Sequence, residues 1–349
     1  MKLEREDLNA AVENRILSAE QADALQEFLA VRNQTPRAKA ENFRVTNNFG
    51  EIFISLGLII MFMAMIRAVG IFDISSATSG TLSSVKLVAI PALAALFWAF
   101  AEFFTYKRPQ LLPAVTSAIL FVVAVTSAAS LYLHGNPDLL DATFAFENTW
   151  INLVRALAFG LVFMRFKLPM LLLFFAAAAA QTAFVFLSTQ FPALPYNLIL
   201  GVCGLAILLT AIWLDTLDPL RNSKTTAYAF WLFIIGSPMT IHPIFFSVLM
   251  SGEIEQTVLI VFICALSATL LGLLLDRRSL VASSLIYFTI SIGYMNSQIP
   301  GTMNLTLPLT ALIIGTGIVL IGVFWYPIRS LLMGKLPQFS FLEKLPPYA

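Results

Sequence analysis

In "FWLFIIGSPMTIHPIFF", residues 230–246, a nearly unbroken apolar run carries Ser237, Pro238, Thr240, His242 and Pro243. Pro238 cannot donate to the carbonyl of Ile234, nor Pro243 to that of Met239, so a helix built here frees two carbonyls and kinks. Carbonyls freed at membrane depth must find Ser237, Thr240, a neighbouring helix or water. His242 follows Pro238 by four residues and shares its face. The chemistry such a group offers is binding of a polar solute in a cavity, as at the interrupted helices of many transporters. The plainer alternative is a kink that shapes packing, with His242 hydrogen-bonded to a neighbour.

Arg155 is the second candidate for that cavity. It comes five residues after Trp150 and ten before Arg165, which puts it about 7 Å inside an apolar helix. A guanidinium at that depth needs a partner. Glu147, Asp138, Asp141, an anionic lipid or an anionic substrate could supply one, and snorkelling to the outer headgroups is the alternative. Glu102, one turn from Lys107, reads as half of an interfacial ion pair. Gln181, Tyr294 and Asn296 could line a cavity or join helices by hydrogen bonds.

Other chemistry finds no support. No stretch matches a nucleotide-binding glycine loop, a nucleophile elbow, a two-histidine zinc helix or an intramembrane carboxylate pair, so no catalytic residue is assigned and an enzyme is not expected. The two histidines, His134 and His242, have no ligand cluster beside them, so neither a metal nor another cofactor is expected. Cys203 and Cys264 lie far apart inside apolar runs and read as small packing residues. A net charge of +1 carries no basic field for nucleic acid.

The elements that must hold these residues are membrane helices. The chain has 349 residues, 58% hydrophobic and 12% charged, with a mean hydropathy of +0.83. Apolar runs of about 17 to 25 residues, enough to cross a hydrocarbon core of about 30 Å, recur at 50–70, 85–106, 111–133, 150–165, 168–187, 197–214, 226–250, 257–275, 279–298 and 305–326. Lipid offers no partner to a bare peptide group, and continuous runs without strand-like alternation select helix over barrel. The expectation is an all-α polytopic protein with about ten transmembrane helices. The alanine run 176–180 and "IIGTGIVLIG", 313–322, would let backbones approach closely.

Basic residues mark the cytoplasmic side. They cluster in the N-terminal segment, in the turns holding Lys107 and Arg108, Arg165 and Lys167, Arg221 and Lys224, and Arg277 and Arg278, and in the tail. Of the 21 Lys and Arg residues only Arg67, Lys86 and Arg155 fall elsewhere. The loops 134–149, 188–196, 251–256 and 299–304 contain none. This alternation expects ten spans with both termini cytoplasmic.

The chain then divides into a cytoplasmic helical hairpin and linker over 1–48, a transmembrane domain over 49–327 and an interfacial tail over 328–349. The first segment shows no pattern of a cleaved signal. Its two short helices share an apolar seam of Leu8, Val12, Ile16, Leu17, Leu25, Phe28 and Leu29, and Ser18 followed by Gln21 fits a capping box. A hairpin of that size cannot bury a core alone. It packs on its own membrane domain, on the lipid bilayer surface, on a protein partner or, by self-association through residues 1–45, on another copy.

"RILSAEQADALQEFL", "ENFRVTNNFGEIF", "DPLRNSKTTAYAFWLFIIGSPMTIHPIF" and "LPQFSFLEKLPPYA" together resemble a group of uncharacterised bacterial multi-spanning inner-membrane proteins of the domain-of-unknown-function type that begin with a short cytoplasmic hairpin. The resemblance implies a bacterial cytoplasmic membrane and no known activity, and it carries over no site residue. The favoured function is a transporter of a small or lipid-related solute that uses a broken seventh helix; the alternative is a non-transporting scaffold or accessory protein that recruits a partner through its hairpin.

Overall fold

The structure is a computed structural model; it describes residues 14, 18, 20–22, 24–25, 49–68, 84–134, 148–249, 254–298, 306–335 and 345–347. Among the described residues every regular element is helical. They are α1 (Phe49–Ala68), α2 (Ser84–Glu102), α3 (Leu111–His134), α4 (Thr149–Phe166), α5 (Pro169–Gln190), α6 (Tyr196–Thr216), α7 (Lys224–Leu249), α8 (Ile254–Leu275), α9 (Arg278–Gln298), α10 (Thr306–Val323) and α11 (Trp325–Lys335). A π-helical turn, Phe103–Lys107, extends α2.

The chain is an all-α multi-spanning membrane protein. Among the described residues seven helices, α1 to α7, are long and apolar enough to cross a membrane, and α10 with α11 would make an eighth if their 73° bend lies within one span. The sequence predicts ten. Here α8 and α9 contribute the shorter apolar stretches Leu259–Leu275 and Arg278–Ile290.

Local signals place the helix ends. Asn148 caps α4 by accepting from the amides of Trp150 and Ile151 at 2.9 and 3.2 Å, which satisfies two donors of the first turn. Lys167 ends α4 in the left-handed region, and Pro169 opens α5 two residues later, where its missing N–H costs nothing. In the head, Ser18 and Gln21 form the expected reciprocal capping box, with N···O distances of 3.0 and 3.1 Å. Of the remaining hairpin only Asn14, Glu20, Ala22, Ala24 and Leu25 are described, and the apolar seam apart from Leu25 lies outside the described residues.

Lipid gives packed helices no hydrophobic drive, so close approach depends on small side chains. Ala176, Ala178 and Ala180 are buried, as the alanine run predicts. Gly315, Gly317 and Gly322 behave otherwise: no described atom lies within 4 Å of where a Cβ would stand. The three largest of five apolar clusters among the described residues organise the interior. One joins α1 to α3 through Phe62, Ile90 and Phe97, and a second joins α2 to α5 through Val122, Val162 and Leu171. The third joins α5 to α9 with α11 through Ala176, Phe233, Ala265, Leu280 and Met333, and includes Leu345 of the tail. The tail, expected along the interface, is docked on the bundle at that residue.

The tightest contact is between α6 and α7. A Cβ on Gly204 would lie 2.5 Å from the Met239 carbonyl carbon and 2.6 Å from the Thr240 nitrogen, and one on Gly236 would lie 3.0 Å from the Leu208 nitrogen. The two backbones therefore touch twice. Gly204→Ala should cost about 1–3 kcal/mol by overpacking and lower the unfolding midpoint in detergent, whereas Gly57→Ala, whose Cβ meets nothing within 4 Å, should leave it unchanged or raised. Equal midpoints would remove this contact from the account.

Candidate functional site

Both prolines lie inside α7, which runs as one helix from Lys224 to Leu249. The expected break is thus not an interruption. Each proline deletes one bond of the ladder and leaves the others, and Gly204 and Gly236 let α6 back directly against the weakened stretch. Ser237 is fully buried there, and its hydroxyl has no hydrogen-bond partner among the described residues. Thr240 donates to the Gly236 carbonyl at 2.7 Å. Pro238 is half-buried and Pro243 buried. The half-buried His242 ring lies 5.7 Å from that of Phe246.

Arg155 is buried on α4, and its Nη1 donates to Gln181 Oε1 on α5 at 3.0 Å. It does not snorkel. Gln181 joins helices here, and Asn152, one turn away and also buried, donates to the Asn148 carbonyl at 2.9 Å. Asp138, Asp141 and Glu147 lie outside the described residues. The interactions shown for Arg155 and His242 do not join them, and neither of the two clefts described below is lined by Arg155, Ser237, Pro238, Thr240, His242 or Pro243.

The main polar assembly is elsewhere. Arg277, wholly buried, grips Asp215 at the end of α6 through both Nε, at 3.0 Å, and Nη2. Its guanidinium also lies 5.1 Å from the centre of the Phe233 ring on α7. The neighbouring Asp276 accepts from Arg221 Nη1 at 2.9 Å and from Trp325 Nε1 at 2.7 Å, while its carbonyl accepts from Arg221 Nη2 at 2.9 Å. Arg329 on α11 donates to the carbonyls of Leu273 at 3.1 Å, Pro346 at 2.6 Å and Pro347 at 3.3 Å. One lattice of charge-assisted bonds therefore holds α6, the turns before α7 and α9, α11 and the tail.

Backbone geometry prepares this lattice. Asp276 and Arg221 both sit at positive φ, 53° and 56°, conformations that aspartate tolerates better than arginine does. At the first, Arg277 N–H returns to the Gly272 carbonyl at 2.8 Å and closes the end of α8. In the turn before α7, Asp218 accepts from Ser223 N–H and hydroxyl at 2.6 and 2.7 Å and from Thr226 at 3.0 Å. Burial pushes the Asp218 carboxyl up, but these donors and the Asn222 amide outweigh it and lower it to about 2.

A weaker copy of this arrangement ties α2 to α4. Glu102 pairs with Arg165, and Tyr106 of the π turn lies beneath the same guanidinium. Tyr106 accepts from Arg165 Nη1 at 2.8 Å, donates to the Arg165 carbonyl at 2.9 Å, and has its ring centre 4.8 Å from the guanidinium carbon. On α1 the buried Glu51 accepts from Leu112 N–H at 3.1 Å in the first turn of α3, where a carboxylate suits the positive helix end.

Sequence reasoning used Arg221, Arg277 and Arg329 only as markers of sidedness. The signal for their second role was an aspartate closing an apolar run, in "WLDTL" and "LLLDRR". A carboxylate there is costly unless it is paired.

No family model matches the chain, and neither a curated protein nor a solved structure matches it.

Removing one partner of a buried pair strands the other, at a cost of about 3–5 kcal/mol. Asp215→Ala and Arg277→Ala should each lower the unfolding midpoint in detergent strongly. Glu102→Ala breaks a half-exposed pair and should cost about 1 kcal/mol or less. A ranking with Glu102→Ala as the most damaging would contradict the assignment.

Proposed function

We propose that the chain threads ten times through a bacterial inner membrane with both termini cytoplasmic. We propose further that it serves as a non-transporting scaffold or accessory protein that presents a fixed cytoplasmic platform. Contacts among the basic turns support the threading. Tyr106 joins the α2–α3 turn to Arg165, Tyr228 reaches the Lys167 carbonyl at 3.3 Å, and Arg221 binds Asp276. These links put the four basic turns on one face, which the start of α1 and the tail share through Glu51 and Arg329. The bacterial setting follows the resemblance of the four stretches quoted above.

The observation that carries the scaffold reading is the backbone contact of α6 and α7 around a fully buried Ser237. A solute site at α7 needs water-accessible space, and the burial of Ser237 among the described residues speaks against it there. Partner recruitment then falls to the N-terminal hairpin, whose Ser18–Gln21 box is formed. The second reading, a carrier of a small or lipid-related solute, draws on the buried Arg155 and on the 73° bend between α10 and α11.

The test is thiol accessibility. In a variant with Cys203 and Cys264 replaced by Ala, single cysteines at Ser237, Thr240, His242 and Arg155 should resist a small membrane-impermeant reagent from both sides of the membrane. Labelling at several of them would show a water-filled path and favour the carrier.

A further inference from the structure

Two clefts lie end to end along α2 and α4. One, of about 490 Å³, is lined by Pro91, Ala95 and Trp98 of α2, Phe121 and Val125 of α3 and Leu161 of α4, among others. The other, of about 430 Å³, is lined by Ala99, Glu102, Phe103, Tyr106, Lys107 and Arg165. Ala95 and Ala99 are one turn apart on α2, as are Leu161 and Arg165 on α4, so the second cleft continues the first by one turn. Small exposed residues, Pro91, Ala95 and Ala99, open the groove. The Glu102–Arg165 pair joins its walls at the charged end, and Phe121 and Val125 of α3 close it behind.

The groove changes character along its length. From Pro91 to Glu102 is eleven residues, about 17 Å of helix, close to the roughly 15 Å of hydrocarbon in one leaflet. That length is apolar. At its end stand Lys107, Arg165 and Tyr106, with Glu102 as the one carboxylate among the lining residues. A guanidinium has five N–H donors; Tyr106 and Glu102 engage Nη1 and Nη2, and the Arg165 side chain stays 46% exposed.

We propose that this groove is a binding site for a membrane phospholipid. Its phosphate sits at Lys107 and Arg165, and one acyl chain lies along Ala99, Ala95 and Pro91. The order of chemistry along the groove, apolar slot and then cationic mouth with a tyrosine, is that of a phospholipid read from chain to headgroup. The two cations exceed the single carboxylate by one charge, which favours an anionic headgroup. The site depends on neither reading of α7, since it uses none of the same residues.

Native mass spectrometry of the full-length protein in detergent, titrated with phosphatidylglycerol, tests the proposal. The wild type should retain one tightly held lipid. Lys107→Gln should weaken it about fivefold, the share of one cation near a headgroup. Ala95→Phe, which fills the slot from an exposed position, should weaken it without lowering the unfolding midpoint of the lipid-free protein. Unchanged binding in both variants would overturn the proposal. So would inorganic phosphate raising the midpoint as much as the lipid does, which would make the site one for a free anion. A dimeric wild type that Ala95→Phe turns monomeric in light scattering would give the groove to a second copy and overturn it as well.

Discussion

A fully buried guanidinium is among the most demanding groups a helical bundle can hold, and Arg277 sets the terms for the protein's charged face. Withdrawing an arginine and a carboxylate from water costs several kcal/mol per ion, and the attraction between them offsets this only when geometry is good and the remaining donors are used. Asp215 supplies the two-point contact and Phe233 the ring face. The turn that delivers Arg277 must also be fixed. Asp276 holds that turn in the left-handed region and takes bonds from Arg221 and Trp325, and Arg329 fastens the α8 end to the tail.

The two halves of the bundle differ in how much of this they use. Around α6 to α9 the ion pairs are buried, the backbones of α6 and α7 touch, and Leu345 completes the apolar cluster. Around α2 to α4 the equivalent pair, Glu102 with Arg165, is half exposed and lies over a tyrosine. An exposed pair contributes little, so these helices are tied at one end and leave a groove above the tie. The rigid platform and the groove thus follow from one device used at two depths of burial.

Much of the fold was legible because its signals are local or collective. The Ser18–Gln21 box needed only spacing, and the apolar runs that became α1 to α7 needed only length and composition. The alternation of basic turns is a property of the whole chain. What stayed hidden is which face of each helix is buried: in a membrane both faces are apolar, so periodicity does not separate core from lipid. For the same reason Pro238 read as a break, since nothing local reveals that Gly204 of another helix lies against Met239 and Thr240 just beyond it. Arg155 was singled out for its depth, but Gln181 became its partner only once α4 and α5 were packed. Asp215 and Asp276 were passed over because their arginines already had an explanation.

The most direct measurement is amide hydrogen exchange of the full-length protein in lipid nanodiscs, followed over the α8–α9 turn and α11. If the buried lattice is the keystone, residues 272–278 and 325–333 should be strongly protected and should open together, as one cooperative unit. Rapid exchange across α11 while the turn stays protected would mean that α11 and the tail are not held by Asp276 and Arg329, and would contradict the account.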